Sequence, residues 1–222
     1  MNFEHSEKVK SLQERVALFM DKHVYPNEQT FKDQLESQKD RFSTPKIVED
    51  LKKLAKAEGL WNLFLPHEYK PYSPGLTNLE YAPVAEEMGR VHFASEIFNC
   101  SAPDTGNMEI LHLFATPGQR RKYLDPLLAG RIRSCVGITE PDVASSDPTN
   151  LQTTILRDGD SYIVNGRKWF TTGALHPNAR FCIVMGLSDP RPDADPHARH
   201  SMIITPLDAP GNRPPFRSMT KA

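Results

Sequence analysis

Cysteine is scarce in this chain. There are three in 222 residues, Cys100, Cys135 and Cys182, far apart and without a C-x-x-C pair. An odd, dispersed set suggests neither a disulfide framework nor a zinc site. An excess of one charge is also missing. Twenty-seven basic residues stand against 28 acidic ones, for a formal net charge of -1. Neither nucleic acid nor an anionic membrane surface is therefore expected as the main partner. The basic run Arg120-Arg121-Lys122 reads as a solvated helix face. No apolar stretch approaches the ~18 residues of a membrane helix, so no stable membrane insertion is expected. Met1 to Glu7 has neither a signal core nor Arg-rich transit character. Thr220-Lys221-Ala222 is not a peroxisomal or retention signal. A cytoplasmic, reducing setting is the expectation. There is no Walker loop and no G-x-G-x-x-G, which argues against a doubly wound dinucleotide domain. His197 and His200 lack a third ligand and lie among prolines, so no metal is expected.

What remains is 38% hydrophobic and 25% charged, enough to bury a core and to form two modest domains. Val9, Leu12, Val16, Phe19, Met20 and Val24 recur at three and four residues, one helical stripe ending before Pro26. A polar helix anchored by Phe31 and Leu35 follows. Ser43-Thr44-Pro45 reads as the start of another helix, with Ile47, Val48, Leu51, Leu54 and Ala55 facing inward and Gly59 ending it. Thr77-Asn78-Leu79-Glu80 is a capping box, and Pro83 should kink the helix it opens or delay its start. Asp104 opens a helix carrying Met108, Leu111, Leu113 and Phe114. Thr116-Pro117-Gly118-Gln119 opens the last, interrupted by Asp125-Pro126 and closed by Gly130.

At Arg131 the period changes. Cys135-Val136-Gly137-Ile138 reads as a strand running into a hydroxyl-rich loop. Asp158-Gly159 and Asn165-Gly166 are hairpin signals, predicting a meander of strands over 153–156, 161–164 and 167–171. Strands are also predicted over 180–187 and 201–206, separated by a polar loop. A helical domain over 1–130 and a β domain over 131–222 are the expected division.

These residues resemble the acyl-CoA dehydrogenases, closest to the branch carrying Thr139-Glu140-Pro141-Asp142-Val143-Ala144-Ser145-Ser146-Asp147. Further matches are Gly59-Leu60-Trp61-Asn62, Cys100-Ser101-Ala102-Pro103-Asp104-Thr105-Gly106-Asn107 and Asn165-Gly166-Arg167-Lys168-Trp169. The resemblance implies an α+β fold, with an N-terminal all-α helical domain followed by an antiparallel β-barrel-like middle domain. It implies FAD as cofactor, an acyl-CoA substrate oxidised to a 2-enoyl-CoA in fatty-acid oxidation, an electron-transfer acceptor and a homo-oligomer. A mitochondrial or peroxisomal location is compatible with it. The family's C-terminal helical bundle, with its catalytic glutamate, is expected to lie outside this chain, so no catalytic residue is assigned. The alternative is a non-catalytic flavin- or partner-binding fragment of the same fold.

By the same resemblance, Val136, Gly137, Ile138 and Thr139 offer hydroxyl and amide donors to a flavin ring, where negative charge builds on reduction. Trp169, Phe170 and Thr171 lie along the ring. Ser145 and Ser146 are both candidates for the flavin pyrophosphate and the substrate. Plainer alternatives are a strand-end threonine satisfying its own turn, a core tryptophan and a simple turn. Pro141 holds Glu140 in an extended backbone, and the resemblance gives Glu140 no proton-transfer role. Asp147 is expected to brace the loop.

Overall fold

The computed structural model describes residues 4–213. The chain divides into two compact units, Met1–Arg131 and Ile132–Ala222. Helices make up the first and a five-stranded sheet the second.

In the helical unit, α1 (Glu7–Phe19) starts at Ser6, whose hydroxyl accepts from the Val9 amide. That bond satisfies one of the orphan donors of the first turn. The apolar stripe continues past α1 through a π-type turn, Met20–Val24, so Val9, Val16, Phe19, Met20 and Val24 are all buried. The proline-containing turn Tyr25–Asn27 leads into α2 (Glu28–Ser37). Phe31 anchors α2 by stacking on Phe93 with ring centroids 3.9 Å apart. Leu35, the other expected anchor, is exposed.

α3 (Lys46–Ala57) buries Val48, Leu51 and Ala55 but leaves Leu54 exposed. Its first turn is capped from outside. Gln34 Oε1 accepts from the Ile47 amide at 2.8 Å, and Thr44 Oγ1 donates instead to Glu96. α4 (Asn78–Met88) has the expected capping box, with both Thr77–Glu80 bonds present, and runs through Pro83. The short α5 (Ala94–Ile97) joins it to the core. α6 (Asp104–Phe114) buries Met108 and Leu111 while Leu113 and Phe114 face solvent. α7 (Pro117–Gln119), a π-type turn (Arg120–Leu124) and α8 (Asp125–Leu128) form one continuous path, so Asp125-Pro126 does not interrupt it.

At the end of α8 backbone amides reach the carbonyls of Asp125, Pro126 and Leu127, and side chains reach that of Leu128, one of the last carbonyls a helix leaves without an internal partner. Trp61 Nε1 and Asn62 Nδ2 donate to the Leu128 carbonyl at 2.8 and 3.0 Å. Asn99 Nδ2 donates to Leu127 O at 3.2 Å and to Asn62 Oδ1 at 2.7 Å. Asn62 and Asn99 hold left-handed backbones, φ 56° and 54°, which asparagine tolerates better than other non-glycine residues.

In the second unit, β4 (Ala179–Leu187) is central and almost wholly buried. β1 (Arg133–Gly137) runs parallel along one edge of it, and β5 (His200–Pro206) antiparallel along the other. β2 (Thr154–Asp158) meets the end of β4 at the Thr154–Leu187 pair and forms a hairpin with β3 (Ser161–Asn165). The sheet is therefore mixed rather than wholly antiparallel. Parallel pairing follows from the long crossover between β1 and β4, which also contains the β2–β3 hairpin. Strands buried on both faces carry continuous apolar runs, as Phe181 to Met185 does.

A hairpin forms where Asp158-Gly159 signalled one, but Asp158 pairs with Ser161, so the turn residues are Gly159 and Asp160, with Gly159 at φ 57°. Asn165-Gly166 does not form a turn, and residues 167–171 are not a strand. Gly166 is needed for closeness instead. A Cβ there would lie 2.2 Å from Thr153 Oγ1 and 2.7 Å from Thr153 Cα. Thr153 is also pressed from β4, where a Cβ on Gly186 would lie 2.5 Å from its carbonyl oxygen.

Gly166→Ala is expected to destabilise the chain by about 3 kcal/mol through this backbone clash. A fall in the urea midpoint at unchanged slope reads it. Gly118→Ala, where an added methyl meets nothing within 4 Å, should leave the midpoint level or raise it.

Candidate cofactor site

β1 ends at Gly137, and Ile138-Thr139 carries the strand direction onward as a single extended segment. Residues 166–169 return beside it. The Trp169 amide donates to the Thr139 carbonyl at 3.0 Å. That bond brings together the two stretches singled out in the sequence.

Beneath it lies a buried ion pair. Glu140 is 5% exposed, and its Oε1 sits 2.8 Å from Lys168 Nζ. The carboxylate also accepts from the amides of Gln152 and Thr153 at 2.8 and 2.9 Å. Lys168 Nζ donates a second bond to the Ile138 carbonyl at 2.8 Å. Its stem crosses Gly137, where a Cβ would be 3.3 Å from Lys168 Cγ. Burial alone would push the Glu140 carboxyl up. Lys168 and the two amides outweigh it and hold the group down at about 2. For Lys168, burial lowers the ammonium and Glu140 opposes it. Glu140 is thus a permanently ionised tie between three segments and has no proton to exchange near neutrality.

The loop after Glu140 is braced by its own side chains. Ser145 Oγ accepts from the Glu140 amide at 2.8 Å and faces the Glu140 and Val143 carbonyls at 3.3 Å. Ser145 is half-buried, while Ser146 is exposed. Asp147 Oδ1 accepts from the Thr149 amide and hydroxyl at 3.0 and 2.6 Å, which lowers its carboxyl below the usual value. From the other side, Arg199 Nη2 donates to Thr149 O at 2.9 Å and His200 Nε2 lies 3.1 Å from Leu151 O.

The remaining positions line the outer edge. Val136 and Ile138 are half-buried, Gly137 is buried and the Thr139 side chain is exposed. Trp169 is 44% and Phe170 80% exposed, with ring centroids 4.6 Å apart. Phe170 holds φ 51°, an outlier for a bulky residue. Thr171 is half-buried and accepts at its carbonyl from Ala174. Trp169 is therefore not a core tryptophan. The sequence reading missed Lys168, Arg199 and His200 as supports. Glu140 and Lys168 gave no pairing signal, since neither periodicity nor spacing links them. Among the described residues no group of three or more His, Cys, Asp or Glu could hold a metal. No helix there is long and apolar enough to cross a membrane.

Glu140→Gln leaves Lys168 buried without a counter-charge and is expected to cost about 3 kcal/mol at pH 7. Adding Lys168→Met should recover part of that. The folded-state pKa is depressed, so the ionised Glu140 stabilises above its unfolded value of about 4.3. The difference between wild type and Glu140→Gln should shrink as pH falls from there towards 2, in urea melts run across that range.

The family model described as "Acyl-CoA dehydrogenase, N-terminal domain" matches residues 6–131, and "Acyl-CoA dehydrogenase, middle domain" matches residues 135–220. Acyl-CoA dehydrogenase family member 11 of Gallus gallus is 49% identical over 95% of this chain and 27% of its own length. Family member 10 of Mus musculus is 50% identical over 91% of this chain and 19% of its own. A solved structure assigned to the acyl-CoA dehydrogenases, from Mycobacterium abscessus, superposes with a TM-score of 0.86 at 44% identity. It covers 94% of this chain and 52% of its own. The chain thus spans about a quarter or less of these two curated relatives and about half of the solved one. With both family domains matched end to end across the helical unit and the sheet, the chain belongs to the acyl-CoA dehydrogenase family.

Proposed function

We propose that this chain carries the flavin- and thioester-binding part of an FAD-dependent acyl-CoA dehydrogenase that oxidises an acyl-CoA to a 2-enoyl-CoA in fatty-acid oxidation. The observation that supports it most is the Trp169–Thr139 backbone bond. It sets an exposed indole beside an exposed hydroxyl on two segments tied by Glu140 and Lys168.

The residues present fit a flat, hydrogen-bonding ring with an anionic tail. The half-exposed Trp169 face supplies a plane. The Thr139 hydroxyl and the backbone of 136–139 supply donors at its edge, and Thr171 borders the opposite side. Phe170 is held at positive φ just past Trp169, and its ring is largely exposed. Ser145 is occupied in bracing its own loop, which leaves the exposed Ser146 as the hydroxyl for the pyrophosphate or the substrate. When bound, FAD would accept hydride from the acyl β-carbon. The chain's own residues bind and orient the ring, keep it against one face, and place donors where negative charge develops. A homo-oligomer, an electron-transfer acceptor and the acyl-CoA substrate are the partners on this reading.

Titrating the purified chain with FAD tests it. Trp169 fluorescence should quench and flavin absorbance should co-elute with protein. Thr139→Val should weaken binding about tenfold, the equivalent of about 1.4 kcal/mol for a lost hydrogen bond to a charge-bearing edge. Ser145→Ala should lower the melting temperature, whereas Ser146→Ala should weaken binding and leave the melt unchanged. A chain that gains no flavin signal at any FAD concentration would refute the proposal.

A further inference from the structure

Cys135 and Cys182 are distant in sequence and adjacent in space. β1 and β4 run parallel in a register that sets Cys135 directly opposite Cys182. Such partners project to the same face of strands spaced roughly 4.8 Å apart. That spacing falls inside the Cα separation of about 4.4–6.8 Å that a disulfide spans. Both are free thiols, 0% and 7% exposed, in one apolar cluster with Val184.

Two features set this pair apart from inert core cysteines. The register holds both thiols on one face of adjacent strands, where Cys135 Sγ donates to the Phe181 carbonyl at 3.6 Å and Cys182 Sγ to the Ile183 carbonyl at 3.7 Å. Beside them, the bare backbone of Gly137 lets both neighbours come close: a Cβ there would lie 3.2 Å from Cys182 Sγ and 3.3 Å from Lys168 Cγ. The Lys168 stem therefore passes next to the Cys182 sulfur. The neighbouring Cys135 draws the Cys182 thiol below its usual range. Burial opposes that, while Lys168 and the Gly137 backbone reinforce it. Cys100, in the helical unit, is the contrast, because burial pushes its thiol up to about 11.

We propose that Cys135 and Cys182 form a redox-active dithiol that closes to a disulfide across β1 and β4 on exposure to hydrogen peroxide, an oxidant small enough for a site this buried. The Cys182 thiolate attacks one peroxide oxygen and the O–O bond breaks. Cys182 becomes a sulfenic acid, and the departing hydroxide takes up the thiol proton as water. Cys135 sulfur then attacks Cys182 Sγ, the S–O bond breaks, the S–S bond forms, and the hydroxide leaves as water with the Cys135 proton. Two thiols lose two electrons and two protons, and one peroxide becomes two waters. This assignment stands on the β1–β4 register and does not depend on flavin binding.

Treating the full chain with hydrogen peroxide, then unfolding it in denaturant for alkylation and mass analysis, tests it. The expected product is lighter by about 2 Da, as loss of two hydrogens requires. It has one alkylatable cysteine, Cys100, and a non-reduced peptide joining Cys135 to Cys182, and dithiothreitol restores all three thiols. Cys135→Ser should halt the sequence at a sulfenic acid on Cys182 that a 1,3-dione probe traps. The proposal fails if both cysteines of the wild-type chain stay alkylatable, if the bridge includes Cys100, or if Cys182 proceeds to sulfinic acid with no bridge formed.

Discussion

The candidate site depends on one buried contact, the pair between Glu140 and Lys168. Moving two opposite charges out of water is costly, and their attraction offsets that cost only when the remaining lone pairs and protons are also met. Here they are met. The carboxylate takes two backbone amides in addition to Lys168, and the ammonium takes the Ile138 carbonyl. Together those bonds reach three parts of the chain. The end of β1, the segment leading into β2, and the return towards Trp169 are all fastened at one point. The pair's net contribution to stability is modest by this reasoning, but its contribution to geometry is not. Without it the Thr139–Trp169 alignment would rest on a single backbone bond at an exposed edge.

A similar economy holds the end of the helical unit. The Leu128 carbonyl receives side-chain donors from Trp61 and Asn62, and the Leu127 carbonyl, already bonded by the Gly130 amide, takes a further one from Asn99. Lys56 reaches the Ala129 carbonyl while its ammonium lies 4.2 Å over the Trp61 ring. Asn62 and Asn99 meet this need only because both adopt left-handed backbones. The Gly59-Leu60-Trp61-Asn62 match in the sequence thus has a local physical reason that involves no ligand.

Legibility in the sequence followed the range of the interaction. Thr77 with Glu80 and Asp158 with Gly159 act over two or three residues, and both were readable as a cap and a turn. The helical stripe from Val9 to Val24 was readable because burial imposes a period. Asn165-Gly166 carried the same turn signal and meant something else. Its glycine answers to Thr153, which a local reading does not see. Leu35 and Leu54 sat at core spacing yet face solvent, since period alone does not say how wide the buried face is. Glu140 with Lys168, and Cys135 with Cys182, were invisible for a common reason. Strand register is decided by the whole sheet, and no local pattern records which residue of β1 will face which residue of β4.

Two serines in succession illustrate how the structure separates what the sequence left equal. Loop residues 140–147 must reverse direction after a strand while Pro141 fixes one backbone angle and removes one donor. A reversal of that kind needs a side-chain acceptor for an amide that no strand can reach. Ser145 supplies it to Glu140, and the same oxygen lies near two carbonyls. A hydroxyl so engaged has little capacity left for a ligand. The adjacent Ser146 is exposed. One serine therefore shapes the loop and the other presents a hydroxyl from it. A loop with a single serine would have to use one oxygen for turn and ligand alike, and each function would weaken the other.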